Sequence, residues 1–479
     1  MKKWIFTPTN RDIPDMFPAT IEDYLPEDHQ ARFIVEIIDQ LDLTVFINAY
    51  RGAGSKAWHP SMMLGLLFYG YTTGIFSSRK LEKATYDSIA FRFICANHNP
   101  DHDSINAFRK KFRQEISALF AQILLIAHRS NCLQMGTISL DGTKIKANAS
   151  KHKALSYKYA CKLERQLKFE VDGLLKQAEE AESSQLPEGL SIPDELKRRE
   201  DRLAVIADAK AEIEHRAAIR HQDEMAEYDK KVAHRQAIRN KGEKPRGKEP
   251  QAPESGPKDT DQVNLTDAES RIMPTGNGFE QAYNAQAAVD VKSGIIVEKH
   301  VTQDTNDKRQ IKPALKELAT REAELGKGEA LLADTGYFSS NNVLEVTRHG
   351  LTPYIAEKRD AHNTPLLDRF KADAPMPTGN SVTALELMRW RLQTKEGRAI
   401  YGKRKSTIEP TFGIIKQVMG YRQFLVRGFD EVSAEWDLVC IAFNLKRMFK
   451  LMQAKGIVFV RFLINPYVFL SYAVNLGKS

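Results

Sequence analysis

Glu280-Gln-Ala-Tyr-Asn-Ala-Gln-Ala-Ala-Val-Asp290, Val291-Lys-Ser-Gly294 and Ile295-Ile-Val-Glu-Lys-His-Val301 are the stretch on which the fold turns. Two runs of strand length flank a short connection ending in glycine, the pattern of a β-hairpin. Upstream, Thr137-Ile-Ser-Leu-Asp141-Gly-Thr-Lys-Ile-Lys-Ala147 reads as another strand. Downstream, a helix over about 308–325, with Pro313 in its first turns, leads to strand Ala330-Leu-Leu-Ala-Asp334. A second helix over about 340–349, stopped by Gly350, leads to strand Pro353-Tyr-Ile-Ala356, and basic helices follow. Three strands and then two helix–strand units describe an antiparallel meander continued by right-handed crossovers. The fold class expected is a mixed α/β sheet with helices on its faces.

The first 135 residues carry the helical period instead, over 27–43, 59–74, 77–97 and 104–130. Ser104 is the expected N-cap of the last of these. Its opening turns hold Asn106, Arg109, Lys110, Lys111 and Arg113. A short helix, a turn and a basic helix start suit a helix-turn-helix entering a DNA groove, although a plain helical bundle with a basic edge has the same pattern.

At 479 residues the chain is long enough for two to four units. Apolar residues make up 42% and charged residues 28%, which excludes a disordered or collagen-like chain. Cys95, Cys132, Cys161 and Cys440 are isolated, which argues against a disulfide framework or zinc ribbon and fits a reducing compartment. Only three apolar residues follow Lys2-Lys3 before Thr7, so no export signal is read. The apolar run 457–476 is broken by Arg461 and Asn465-Pro466, so a buried or partner-covered segment is expected rather than a membrane span. The expected location is cytoplasmic.

Charge is uneven. Residues 151–260 hold 23 Lys and Arg against 22 Asp and Glu, the mixed-charge composition of exposed helices, and end in Pro/Gly/Ser linker sequence. Residues 389–427 hold ten basic side chains against two acids, an excess equal to the +8 of the whole chain. One-signed clustering on this scale marks a phosphate-binding surface.

Three acids stand where chemistry would want them: Asp141 in the first strand, Asp334 at the end of the fourth, and Glu409 in a late helix. Neighbouring carboxylates repel and call for a cation, and hard oxygen donors suit Mg²⁺ or Mn²⁺. Each also has a structural reading: Asp141-Gly142 as a hairpin turn, Asp334 as a turn or N-cap, Glu409 as a first-turn acid favoured by the helix dipole.

The chain resembles the DDE-type transposases of bacterial insertion sequences, which have an RNase H-like catalytic core and, in this group, an InsH-like helical N-terminal domain. The resemblance rests on Ser139–Asn148, Gly278–Asp290, Leu332-Ala-Asp334-Thr-Gly-Tyr-Phe338 and Tyr401–Lys416, followed by Tyr421-Arg422 and Arg427-Gly428. It implies Asp141, Asp334 and Glu409 as a catalytic triad binding two Mg²⁺ or Mn²⁺ ions. It also implies DNA cleavage at insertion-sequence ends by activated water, strand transfer into target DNA by the freed 3′-hydroxyl, and a homodimer on DNA. Tyr401, Arg404, Lys405, Lys416, Arg422 and Arg427 become candidate DNA contacts, beside Arg109, Lys110 and Arg113. The family's basic residue four positions before the glutamate is Lys405 here; Arg404, five positions before, would be turned about 140° from it on a helix. Pro410 makes helix at Glu409 itself questionable. The implied domains are 1–135 (DNA-binding), 136–150 with 262–430 (catalytic), 151–261 (charged insertion and linker) and 431–479 (C-terminal helical and apolar segment). A structure-specific nuclease on the same sheet, or a non-catalytic DNA-binding descendant, is the alternative.

Overall fold

A mixed six-stranded sheet organises the computed structural model, which describes residues 20–50, 56–180, 192–276, 278–358, 373–378 and 382–455. The apolar run 457–476 and the chain start lie outside the described residues. Among the described residues seven helices come first: α1 (Gln30–Ile38), α2 (Thr44–Asn48), α3 (Pro60–Thr73), α4 (Ser78–Asp87), α5 (Ile89–Ile94), α6 (His102–Lys111) and α7 (Arg113–Arg129). The continuous helix expected over 104–130 is interrupted at Phe112, whose backbone leaves helical geometry. Its N-cap is Asp101, not Ser104, because the longer carboxylate accepts from the Ser104 N–H. The expected helix 77–97 likewise breaks, at the extended Ser88.

Then follow β1 (Thr137–Lys146), β2 (Ala154–Ser156), α8 (Tyr157–Glu180), α9 (Ile192–Asn240), β3 (Gln262–Asn264), β4 (Arg271–Thr275), β5 (Gly278–Asp290) and β6 (Ile296–Thr302). The chain continues as α10 (Ile311–Ala319), α11 (Glu322–Leu325), β7 (Ala330–Ala333), α12 (Ser340–Arg348) and β8 (Thr352–Ile355). The chain ends, within the described residues, in α13 (Ala384–Gln393), α14 (Lys395–Gly413) and α15 (Phe429–Ala454). β5 lies between β1 and an outer edge shared by β4 and β6, while β1, β7 and β8 run parallel. β4 escapes sequence reading because it contains Pro274, which an edge strand tolerates but a central one does not. At the expected turn, Gly294 adopts φ +70°, and the Asp290 carboxylate accepts from the Ser293 N–H.

α15 is the spine. It is buried on most sides, packing against α3 and α7 on one flank and β6 on the other, so one apolar core runs from the N-terminal helices into the sheet. Trp436 is fully buried and donates its indole N–H to the Gln286 carbonyl of β5. Next to it, Asp437 pairs with Lys299 of β6, the side chains 11% and 10% exposed, and accepts from Ser117 of α7. α8 and α9 form an antiparallel pair with a small core of their own around Leu167, Ile206 and Ile213. The linker after α9 is not a free exit: Glu249 pairs with Arg235 and Arg239, folding the chain back along the helix.

Removing one member of a well-buried ion pair strands the other charge. Asp437→Ala should therefore cost about 3–5 kcal/mol in urea unfolding, and Lys299→Met combined with Asp437→Leu should recover most of it. A loss below about 1 kcal/mol for the single variant would contradict the packing described.

Candidate active site

The register of two parallel strands assembles the site. Ser139 stands opposite Leu332 in the β1–β7 pair, so two residues further along Asp141 and Asp334 are side by side. β7 stops at Ala333, so beyond Asp141 no strand lies beside β1 on this side until Lys146, which bridges Gln423. Asp141 is mid-strand, paired across to Ala287, which rules out the hairpin turn that Asp-Gly suggests. Asp334 does cap a short turn, accepting from the Gly336 N–H at 2.8 Å, while remaining beside Asp141.

The electrostatics follow. Burial, and then the neighbouring charge of Asp334, push the Asp141 carboxyl up to about 7; the Gly142 N–H and Arg404 pull the other way, and Asp307 adds to the rise. α14 crosses this face of the sheet and carries both Arg404 and Glu409. Arg404 donates to Asp141 at 3.1 Å and to Glu409 at 3.3 Å, so one guanidinium bridges the two acids. This corrects the helical-wheel expectation for Arg404. The residue lies on the sheet-facing side, 11% exposed, and its long side chain curls round to reach the more exposed Glu409. Helix does persist through Glu409 and Pro410, relaxing into a single π turn at Ile414–Val418.

The other expected contacts divide into two groups. Lys416, in that π turn, donates to the Lys144 carbonyl of β1, and burial lowers its pKa. Tyr401 is half-buried on α14 against the sheet-edge cluster of Leu332 and Tyr354, and Lys405 is exposed. Arg422 donates to the Lys416 carbonyl. Arg427 donates to the Asn148 carbonyl and, with Lys146, Lys151, His152 and Lys153, lines an open groove of about 510 Å³. The helix-turn-helix reading fares worse. Arg109 turns inward to Tyr71 and Asn106, close to the buried carboxylate of Glu435, and Arg113 pairs with Glu431 of α15. Both serve packing between α6, α7 and the C-terminal helix, and only Lys110 of the three is exposed.

One acid escaped sequence reading. Asp307, just before α10, accepts from Asn284 at 2.6 Å, Gln286 at 2.8 Å and Lys144 at 3.3 Å. Tyr337, three residues beyond Asp334, donates its hydroxyl to Gln286 and ties the network to the site. Amides at alternate positions of an otherwise alanine-rich buried strand, Asn284 and Gln286, were the available signal. Buried amides require partners.

A hard divalent cation fits the donors of Asp141 and Asp334, a half-buried carboxylate pair whose repulsion a cation relieves. Among the described residues, no group of three or more His, Cys, Asp or Glu side chains is close enough to hold a metal ion. Glu409 is joined to the pair through Arg404 instead. Gly142 is required for space, since a Cβ there would run into the Gln286 side-chain amide and lie 2.7 Å from an Asp307 carboxylate oxygen. Gly142→Ala should displace Gln286 and Asp307 and cost about 1–3 kcal/mol in thermal unfolding, an overpacking effect. An unchanged midpoint would show that the network has slack.

Two family models match the chain. Residues 19–111 match the family described as Transposase domain (DUF772), and residues 251–445 match the Transposase DDE domain. Neither a curated protein nor a solved structure matches it. Among the described residues no helix is long and apolar enough to cross a membrane. The second match contains Asp334, Arg404 and Glu409 and, by the β1–β7 register, the partner strand of Asp141. With both domains in this order on one polypeptide, the chain belongs to the DDE-type transposases of the insertion-sequence type.

Proposed function

We propose that the Asp141–Asp334 pair, with Glu409 from α14, is the catalytic centre of a metal-dependent transposase that cleaves DNA at insertion-sequence ends and joins the freed end to target DNA. The observation that carries this reading is the side-by-side register of Asp141 and Asp334 at the open end of β7, spanned to Glu409 by Arg404. The strand order, with β5 and β1 antiparallel and β7 and β8 continuing in parallel, supports reading the sheet as an RNase H-like core. Asp141 and Asp334 would hold Mg²⁺ or Mn²⁺, and Glu409 would join them once its pairing with Arg404 is released. When bound, such ions polarise a phosphodiester and activate the attacking oxygen.

The chain's own residues supply the rest. Arg404 pairs with both Asp141 and Glu409, and from that place its guanidinium can reach a phosphate oxygen. Its Nε is buried with no acceptor among the described residues, a costly state that an incoming anionic oxygen would relieve. Lys405, Lys416, Arg422 and Arg427 extend the positive surface along α14 and the following loop, with Tyr401 beside it as a neutral hydrogen-bonding group, where a DNA backbone would lie. A homodimer is proposed because two transposon ends must be processed together.

The test is Asp334→Asn in the full chain, assayed on a duplex carrying a transposon end with Mg²⁺ present. Retained binding with loss of cutting is expected, the loss being several orders of magnitude. Cutting at the wild-type rate would remove Asp334 from the mechanism. Strand-transfer products formed by the wild-type protein with supplied target DNA separate a transposase from a structure-specific nuclease, and absence of metal binding would favour a non-catalytic descendant.

A further inference from the structure

Near-neutral charge in the insertion conceals a division. Residues 230–249 carry eight Lys and Arg against two Glu, whereas residues 151–229 carry 14 basic against 18 acidic side chains. The positive block occupies the far half of α9 and the chain that doubles back along it, and Lys230, Lys231, Arg239, Lys241, Lys244, Arg246 and Lys248 are all exposed. Both of its acids lie in the returning chain, and one of them, Glu249, is already paired with Arg235 and Arg239. The lysines therefore face solvent with little to neutralise them.

The block is held at a defined place. α9 is bound to the rest of the chain by Arg220, bidentate to Asp261, by Arg216 on the Gln262 carbonyl, and by Asp223 with Arg309. Arg309 is two residues from Asp307, whose carboxylate borders the acidic site. From Asp223 to the end of α9 at Asn240 is 17 residues, about 26 Å at 1.5 Å per residue. At about 3.4 Å per base pair, that is seven or eight steps of a duplex.

We propose that residues 230–249 are a second DNA-phosphate surface, gripping the backbone of the duplex about one-half to one helical turn away from the acidic site. The naming of duplex DNA as the polyanion rests on the proposed function; the surface itself rests on its charge, exposure and anchoring. Phosphates spaced along a rigid rod suit lysines displayed on both a helix and its returning chain. The contact carries no base information, so it should act on any sequence.

The experiment uses full-length protein with Asp334→Asn, which separates binding from cutting. Lys230, Lys231, Lys241, Lys244 and Lys248 are changed to Gln together, leaving the Glu249 clamp intact. Fluorescence anisotropy with a duplex of about 40 base pairs should show binding weakened by about tenfold or more at moderate salt. The slope of log K against log salt should fall by about 0.9 for each of these lysines that meets a phosphate. An unchanged affinity and slope would overturn the proposal. Lysine acetylation of the unsubstituted tip, read by mass spectrometry with and without the duplex, gives an independent result. Protection of Lys241, Lys244 and Lys248 by DNA supports the surface, and full reactivity in the complex overturns it, pointing to an acidic protein partner instead. Protection without any end cleavage by the wild-type chain would sink the proposed function alone; cleavage without protection would sink this inference alone.

Discussion

Two carboxylates forced side by side are the constraint around which the sheet half of the molecule is built. Parallel pairing of β1 and β7 brings Asp141 level with Asp334 at the point where β7 ends. Such a pair is unfavourable unless something positive stands nearby: burial, and after it the charge of Asp334, push the Asp141 carboxyl up to about 7. The surroundings answer that cost from two sides. Arg404 approaches on the α14 face, while Lys144, Asn284 and Gln286 hold Asp307 at a fixed place near the open edge.

That arrangement is stiffened from far away in sequence. Gln286 uses its side chain on Asp307 and accepts from Tyr337, and its backbone carbonyl takes the Trp436 indole. Trp436 lies next to Asp437, which reaches Lys299 and Ser117. A continuous set of buried contacts thus runs from α7 of the N-terminal helices, through α15, to the site network. Fully satisfied buried polar groups specify one packing, because each alternative leaves a group unpaired.

Much of this was legible. The hairpin 280–301, the strands at 137 and 330, and the alternation of helix and strand follow from the period of apolar residues, and the structure places their ends within a few residues of expectation. What was hidden depended on tertiary partners. Asp141-Gly142 has turn chemistry locally, and only pairing with β5 shows it to be strand. Arg109 and Arg113 look like surface charges until the acids of α15, more than 300 residues later, fold against them. Angle along the helix alone turns Arg404 away from Glu409, whereas the reach of its long side chain over the sheet joins it to both acids. Asp307 was missed since its role is set by two amides and a lysine on neighbouring strands.

The proposed chemistry depends on a cation seated between Asp141 and Asp334. Loading the protein with Fe²⁺ in place of Mg²⁺ and generating hydroxyl radicals cuts the polypeptide only close to the bound ion. Backbone breaks clustered at Asp141, Asp334 and the Glu409 segment of α14, suppressed by excess Mg²⁺, are the result predicted. Breaks elsewhere, or none that magnesium suppresses, would contradict it.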